Sequence, residues 1–118
     1  MAKKILIVDD AQVDRNNLER IVLEAGHFVM LAESGAQAFE RAKNEQPDLI
    51  FMDVNMPEMD GFAATRKLKA DDATKLIPVV FVSSKNQKAD QAWGQMLGAR
   101  AYISKPYSRE QILNQLTG

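Results

Sequence analysis

Hydrophobic and polar positions along this chain switch repeatedly between two patterns. Ile5 to Val8, Phe28 to Ala32, Leu49 to Met52, Val79 to Val82 and Ala101 to Ile103 are short apolar runs of strand length. Runs without polar alternation suit parallel strands covered on both faces. Between them apolar residues recur at helical spacing. Leu18, Ile21, Val22 and Ala25 form one stripe, with Gly26 placed to stop it. Gly35, Ala38, Phe39 and Ala42 form a second, ended by Pro47, and Gly61, Ala64, Thr65 and Leu68 a third. Asp71 to Thr74 is a polar connection. Ala89, Ala92, Trp93, Met96 and Leu97 give the clearest spacing, with Gly98 as cap, and Ile112, Leu113 and Leu116 stripe the last helix. Five strands alternating with five helices predict a parallel α/β sheet with right-handed crossovers, in one domain over residues 1–118.

Every strand except the second ends on a polar residue that can face a common crevice. Asp9 and Asp10 follow the first strand, Asp53 the third, Ser83 the fourth and Lys105 the fifth. Each alone has an ordinary explanation: acids after a strand cap helices, and a lysine before proline is commonly a solvated charge. Their combination matters because open α/β sheets bind ligands at the carboxyl ends of their strands. If the first and third strands are neighbours, three carboxylates gather, and their repulsion calls for a cation. Magnesium, which takes few carboxylates and keeps several waters, fits such a site. One acid can then attack phosphorus and form an acyl phosphate. Lys105 and the Ser83 hydroxyl would neutralise and hydrogen-bond the phosphoryl oxygens.

Bulk properties narrow the alternatives. Fifteen basic and sixteen acidic residues leave a net charge of −1, so neither nucleic acid nor an anionic membrane is an expected partner. The sequence contains no cysteine, which excludes disulfides and thiolate chemistry, and its one histidine, His27, cannot build a histidine-rich metal site. No apolar run approaches membrane-spanning or secretory length, and the cytoplasm is the expected location.

These motifs resemble the response-regulator receiver domains of two-component signalling, the CheY-like family. The likeness covers essentially the whole chain: Asp9-Asp10, then Asp53 followed by Met56-Pro57 and Gly61, then Ser83, then Lys105-Pro106. It implies a flavodoxin-like sheet in the order 2-1-3-4-5 and a stand-alone receiver without an output domain. By the same resemblance Asp53 is the phosphoacceptor, fed by a histidine kinase or phosphotransfer protein. Magnesium would be held by Asp10 and Asp53, by Asp9 through water, and by the Asn55 backbone carbonyl. Ser83 and Lys105 would grip the phosphoryl group, and the bond before Pro106 would be cis. Tyr102 matches the switch aromatic, which implies a protein target on the last two helices and the strand between them. Gln12, Val13 and Asn16 are candidate kinase contacts, and the expected state is a monomer.

A narrower likeness rests on Ser83 to Gln87, Trp93-Gly94 and Gly98 to Tyr102. It is similar to the PilH and PixH receivers of chemosensory systems that govern pili, twitching and phototaxis. Ser84 replaces a smaller residue common in the family, and Lys85 stands where it would screen the phosphoryl group or steer its donor. A phosphate sink for a shared kinase, or a module acting without phosphorylation, uses the same scaffold. A haloacid-dehalogenase-type phosphatase would need an acid at position 55, where this chain has Asn55. A flavodoxin-like flavin carrier would not place Asp9-Asp10 beside a phosphate.

Overall fold

The computed structural model describes residues 1–117. Strands and helices alternate throughout: β1 (Lys4–Val8), α1 (Gln12–Glu24), β2 (Phe28–Ala32), α2 (Gly35–Glu45), β3 (Leu49–Met52), α3 (Gly61–Ala70), β4 (Val79–Ser83), α4 (Lys88–Met96), β5 (Ala101–Ser104) and α5 (Arg109–Leu116). All strand pairs are parallel, and the sheet runs β2-β1-β3-β4-β5, the expected order.

Side chains alternate across a strand, so each apolar run feeds two cores. Leu6, Val8, Ile50, Met52, Val79 and Phe81 pack with Ala38 and Phe39 of α2 and with Phe62, Ala64 and Leu68 of α3. The intervening Ile5, Ile7, Leu49, Phe51, Val80 and Val82 pack with Leu18, Ile21 and Val22 of α1 and Ile112 and Leu116 of α5. Helices on both faces leave no solvated side for polar alternation, which is why these strands read as unbroken hydrophobic runs. At the sheet edge β2 is less covered, and its Phe28 is exposed.

Local chemistry sets the helix starts. Ser34, Asp60 and Ser108 accept bonds from the backbone N–H groups of Gln37, Ala63 and Gln111, and the Gln111 side chain accepts from Ser108 N–H in return. No described helix is long and apolar enough to cross a bilayer.

The stripe expected to pack α4 faces the wrong way. Ala89, Ala92, Trp93 and Met96 are exposed, Met96 at 76%, while Gly94 is the buried residue and Asp90 and Leu97 are half-buried. The reason lies in the sheet below. A Cβ on Gly94 would stand 3.1 Å from the rings of both Phe81 and Tyr102, so the helix approaches so closely that even a methyl group there must displace a ring slightly. Residues flanking glycine are thereby turned outward, and Trp93 lies beneath the Arg66 guanidinium, 5.6 Å from its ring centroid. On α1 a similar correction applies: Ala25 is the exposed C-cap, and Arg15 takes a buried place instead.

Candidate phosphoryl-transfer site

Strand register brings the acids together. Val8 of β1 pairs with Met52 of β3, and the next rung is closed by Asp53 N–H donating to Val8 carbonyl at 2.9 Å. Asp9 and Asp53 therefore leave neighbouring strands at the same level. Carboxylate oxygens of Asp9, Asp10 and Asp53 lie within 4.8 Å of one another, with Asp9 and Asp53 buried and Asp10 exposed. One oxygen of each buried acid is tied to the backbone. Asp9 Oδ1 accepts from Ala11 N–H at 2.9 Å, and Asp53 Oδ1 accepts from Val54 N–H at 2.8 Å and Asn55 N–H at 3.4 Å.

Their other oxygens meet Lys105. The strand-end bond from Lys105 N–H to Ser83 carbonyl, 3.0 Å, sets the lysine over the crevice, and the Lys105–Pro106 bond is cis. Its Nζ lies 2.9 Å from Asp9 Oδ2, 3.1 Å from Asp14 Oδ2 and 3.5 Å from Asp53 Oδ2. Burial works against the ammonium, yet the bond to Asp9, the charge of Asp53 and the bond to Asp14 hold its pKa above the ordinary lysine value. Burial, followed by the charge of Asp9, pushes the Asp53 carboxyl from 3.8 up to about 6, against the pull of Lys105 and two backbone N–H groups.

A single ammonium shared among three carboxylates leaves the cluster short of positive charge. Oxygen donors alone, converging beside an open cavity of about 600 Å³, suit a hard divalent cation such as magnesium. Asp10, Asp53, Asn55, Ser84 and Lys105 line that cavity.

Ser83 itself is fully buried and does not line it. Its Oγ accepts from Lys85 N–H at 3.1 Å, and the Lys85 carbonyl in turn accepts from the Tyr102 hydroxyl. Tyr102 is half-buried, its ring 5.7 Å from that of Phe81. Lys85 does not screen the crevice as expected: its Nζ turns to Asp90 of α4, 3.4 Å away. Ser84 does stand at the mouth, where Asn55 Nδ2 donates to its Oγ at 3.5 Å. Gln12, Val13 and Asn16 are exposed near the start of α1.

Two residues escaped the reading of the sequence. Asp14 was passed over: it stands in the first turn of α1, and only the register of that helix shows that it reaches Lys105. Arg15 is buried, donates to the Asp9 carbonyl at 2.8 Å and pairs with Glu33 at 3.4 Å. Its signal, a charge on the buried side of α1, is indistinguishable from an exposed arginine without the register of that helix.

Comparison with known proteins agrees with this geometry. The family model described as "Response regulator receiver domain" matches residues 5–117. PilH of Pseudomonas aeruginosa is 41% identical over 96% of this chain and 93% of its own, and CheY of Bacillus subtilis is 38% identical over 98% and 96%. Among solved structures, the receiver domain of the Pseudomonas aeruginosa sensor kinase PA1611, with magnesium coordinated in its active-site cleft, superposes with a TM-score of 0.90 at 28% identity, covering 98% of this chain and 95% of that one. Fold, strand-end acids and sequence likeness agree along the chain's length, and it belongs to the response regulator receiver domain family.

Proposed function

We propose that this chain accepts a phosphoryl group on Asp53 from a phosphohistidine and passes the signal on through protein contact. The observation that carries this reading is the Asp53 carboxylate, held by the backbone through Oδ1 while Oδ2 faces Lys105. Oδ2 attacks phosphorus, the P–N bond breaks, and its electron pair returns to the donor imidazole, which is protonated and leaves neutral. Asp53 then carries a mixed carboxylic-phosphoric anhydride. Attack of water on phosphorus later returns the carboxylate and inorganic phosphate. Magnesium, bound by Asp10 and Asp53, by Asp9 through water and by the Asn55 carbonyl, would supply charge neutralisation at the phosphoryl oxygens. Lys105 adds a fixed ammonium there, and Ser83, whose oxygen accepts from Lys85 N–H, can turn its O–H to donate to the phosphoryl group.

The signal leaves through two hydrogen bonds in series. Drawing Ser83 toward the phosphoryl group pulls on Lys85 N–H, and the Lys85 carbonyl is the acceptor that holds Tyr102. Tyr102 lies on β5 against α4, beside a groove of about 450 Å³ bordered by Lys88, Gln95 and Arg100. A two-state shift of this aromatic would alter the face formed by α4, β5 and α5, where a target protein binds. Likeness to PilH supports a role in pilus-based motility or taxis. Such a receiver works in the cytoplasm.

Intact-mass analysis after incubation with acetyl phosphate and magnesium tests the reading. One phosphoryl mass is expected on the wild type and none on Asp53→Asn; equal labelling of the variant would reject Asp53 as acceptor.

A further inference from the structure

Lys105 holds one more acid than the site's chemistry requires. An ammonium has three hydrogens. Asp9 Oδ2 at 2.9 Å and Asp14 Oδ2 at 3.1 Å each accept one, and Asp53 Oδ2 stands off at 3.5 Å. Asp14 is outside the trio of acids that close on one another within 4.8 Å, so its partner here is the lysine.

A phosphoryl group on Asp53 Oδ2 brings three acceptor oxygens to the same ammonium; the one hydrogen not held by Asp9 or Asp14 can meet one of them, and a second bond to the phosphoryl group requires one existing partner to yield. Asp9 is badly placed to do so. Its side chain is 6% exposed, and a buried carboxylate stripped of its cation is costly. Asp14 is 49% exposed, so water replaces the ammonium there at small cost.

We propose that Asp14 is a positioning residue that holds Lys105 in the resting state and releases it to the phosphoryl group, so that its charge sets how tightly that group is gripped. This rests on Asp53 being the phosphoacceptor. A competitor for the lysine weakens retention of the phosphoryl group, whereas a mere structural prop for Lys105 would strengthen it. The sign of the effect therefore separates the two roles.

Beryllium fluoride with magnesium serves as the phosphoryl mimic, titrated by calorimetry into the wild type, Asp14→Asn and Asp14→Glu. Binding about two- to fivefold tighter is expected for Asp14→Asn, from the modest strength of a half-exposed ion pair. Asp14→Glu is expected to restore wild-type affinity. Unchanged or weaker binding by Asp14→Asn would overturn the proposal. A general field effect of the lost charge is distinguished by a crystal structure of the wild type with the mimic bound. There Lys105 Nζ should have left Asp14 while keeping Asp9, and a retained contact to Asp14 would also overturn it. Failure of the wild type to bind the mimic at all would instead remove the reading of Asp53 beneath it.

Discussion

The Cβ that Gly61 lacks would fall 2.1 Å from the carbonyl oxygen of Asp53. Seven residues separate the two, and the intervening loop folds back so that Gly61 N–H donates to Val54 carbonyl at 2.9 Å. The start of α3 thus rests directly on the backbone that aims the Asp53 carboxylate.

Gly61→Ala should consequently injure stability and site together. No rotamer change relieves an overlap with a backbone oxygen, so the loop must move. Equilibrium urea unfolding is expected to show a loss of about 3 kcal/mol, at the upper end of overpacking effects. Labelling by acetyl phosphate should fall in the same variant even at temperatures where it remains folded. Wild-type stability with wild-type labelling would contradict the role given to this contact.

The acid cluster makes stability depend on pH in a stated direction. Folding raises the Asp53 carboxyl from 3.8 to about 6, so the folded chain holds this proton more tightly than the unfolded one. Its stabilising contribution is full below pH 3.8 and is lost as pH rises through 6. Asp53→Asn, which cannot ionise, should therefore be more stable than wild type at pH 7.5 by about 1–3 kcal/mol. The advantage should vanish below pH 3.8, where both side chains are neutral. Urea unfolding of both proteins at the two pH values measures this. Magnesium at pH 7.5 should stabilise the wild type more than the variant, because it relieves the same repulsion.

Gly94 offers a contrast with Gly61, since its neighbours are side chains. A Cβ there meets the Phe81 and Tyr102 rings at 3.1 Å, a contact that a small ring displacement can relieve. Alanine also recovers about 1 kcal/mol of helix propensity. Gly94→Ala is expected to leave stability within about 1 kcal/mol of wild type, the two effects offsetting, whereas Gly94→Val should lose about 1–3 kcal/mol. Thermal and urea unfolding of the pair would show whether α4 lies as close to the sheet as described.

The strands and the acid cluster were legible in the sequence because burial on both faces writes itself as unbroken apolar runs, and the clustered residues stand where those runs end. Ile50 and Phe51 read as interior and are, and Asp53 gained its meaning from standing at a strand end together with Asp9, Ser83 and Lys105. Helix α4 was misread because alanine suits either face of a helix, and because Gly94 has no side chain to announce that it is the packed position. Asp14 and Arg15 were missed for a related reason. Both are polar residues on a helix whose apolar stripe begins only at Leu18, so nothing upstream fixed the angle at which they point. The Lys85–Asp90 pair depends on the path of a loop, which carries no periodicity to read.

Tyr102→Phe tests whether signal and chemistry can be separated. Burial, then the charge of Asp90, raises the Tyr102 phenol to about 12, above the usual value of 10. The neutral hydroxyl is therefore the form that donates to the Lys85 carbonyl throughout the physiological range. Removing it deletes one bond of the series that begins at Ser83 but leaves Asp9, Asp10, Asp53 and Lys105 in place. Lys85 is exposed, so water can satisfy its freed carbonyl, and the stability cost should stay near 1 kcal/mol or below. Phosphorylation by acetyl phosphate is expected at the wild-type rate. The response of the α4-β5-α5 face should weaken, read by amide chemical-shift changes in Lys88, Gln95 and Arg100 when beryllium fluoride and magnesium are added. If those shifts match the wild type in full, Tyr102 is a passive core aromatic and the route from Ser83 outward lies elsewhere.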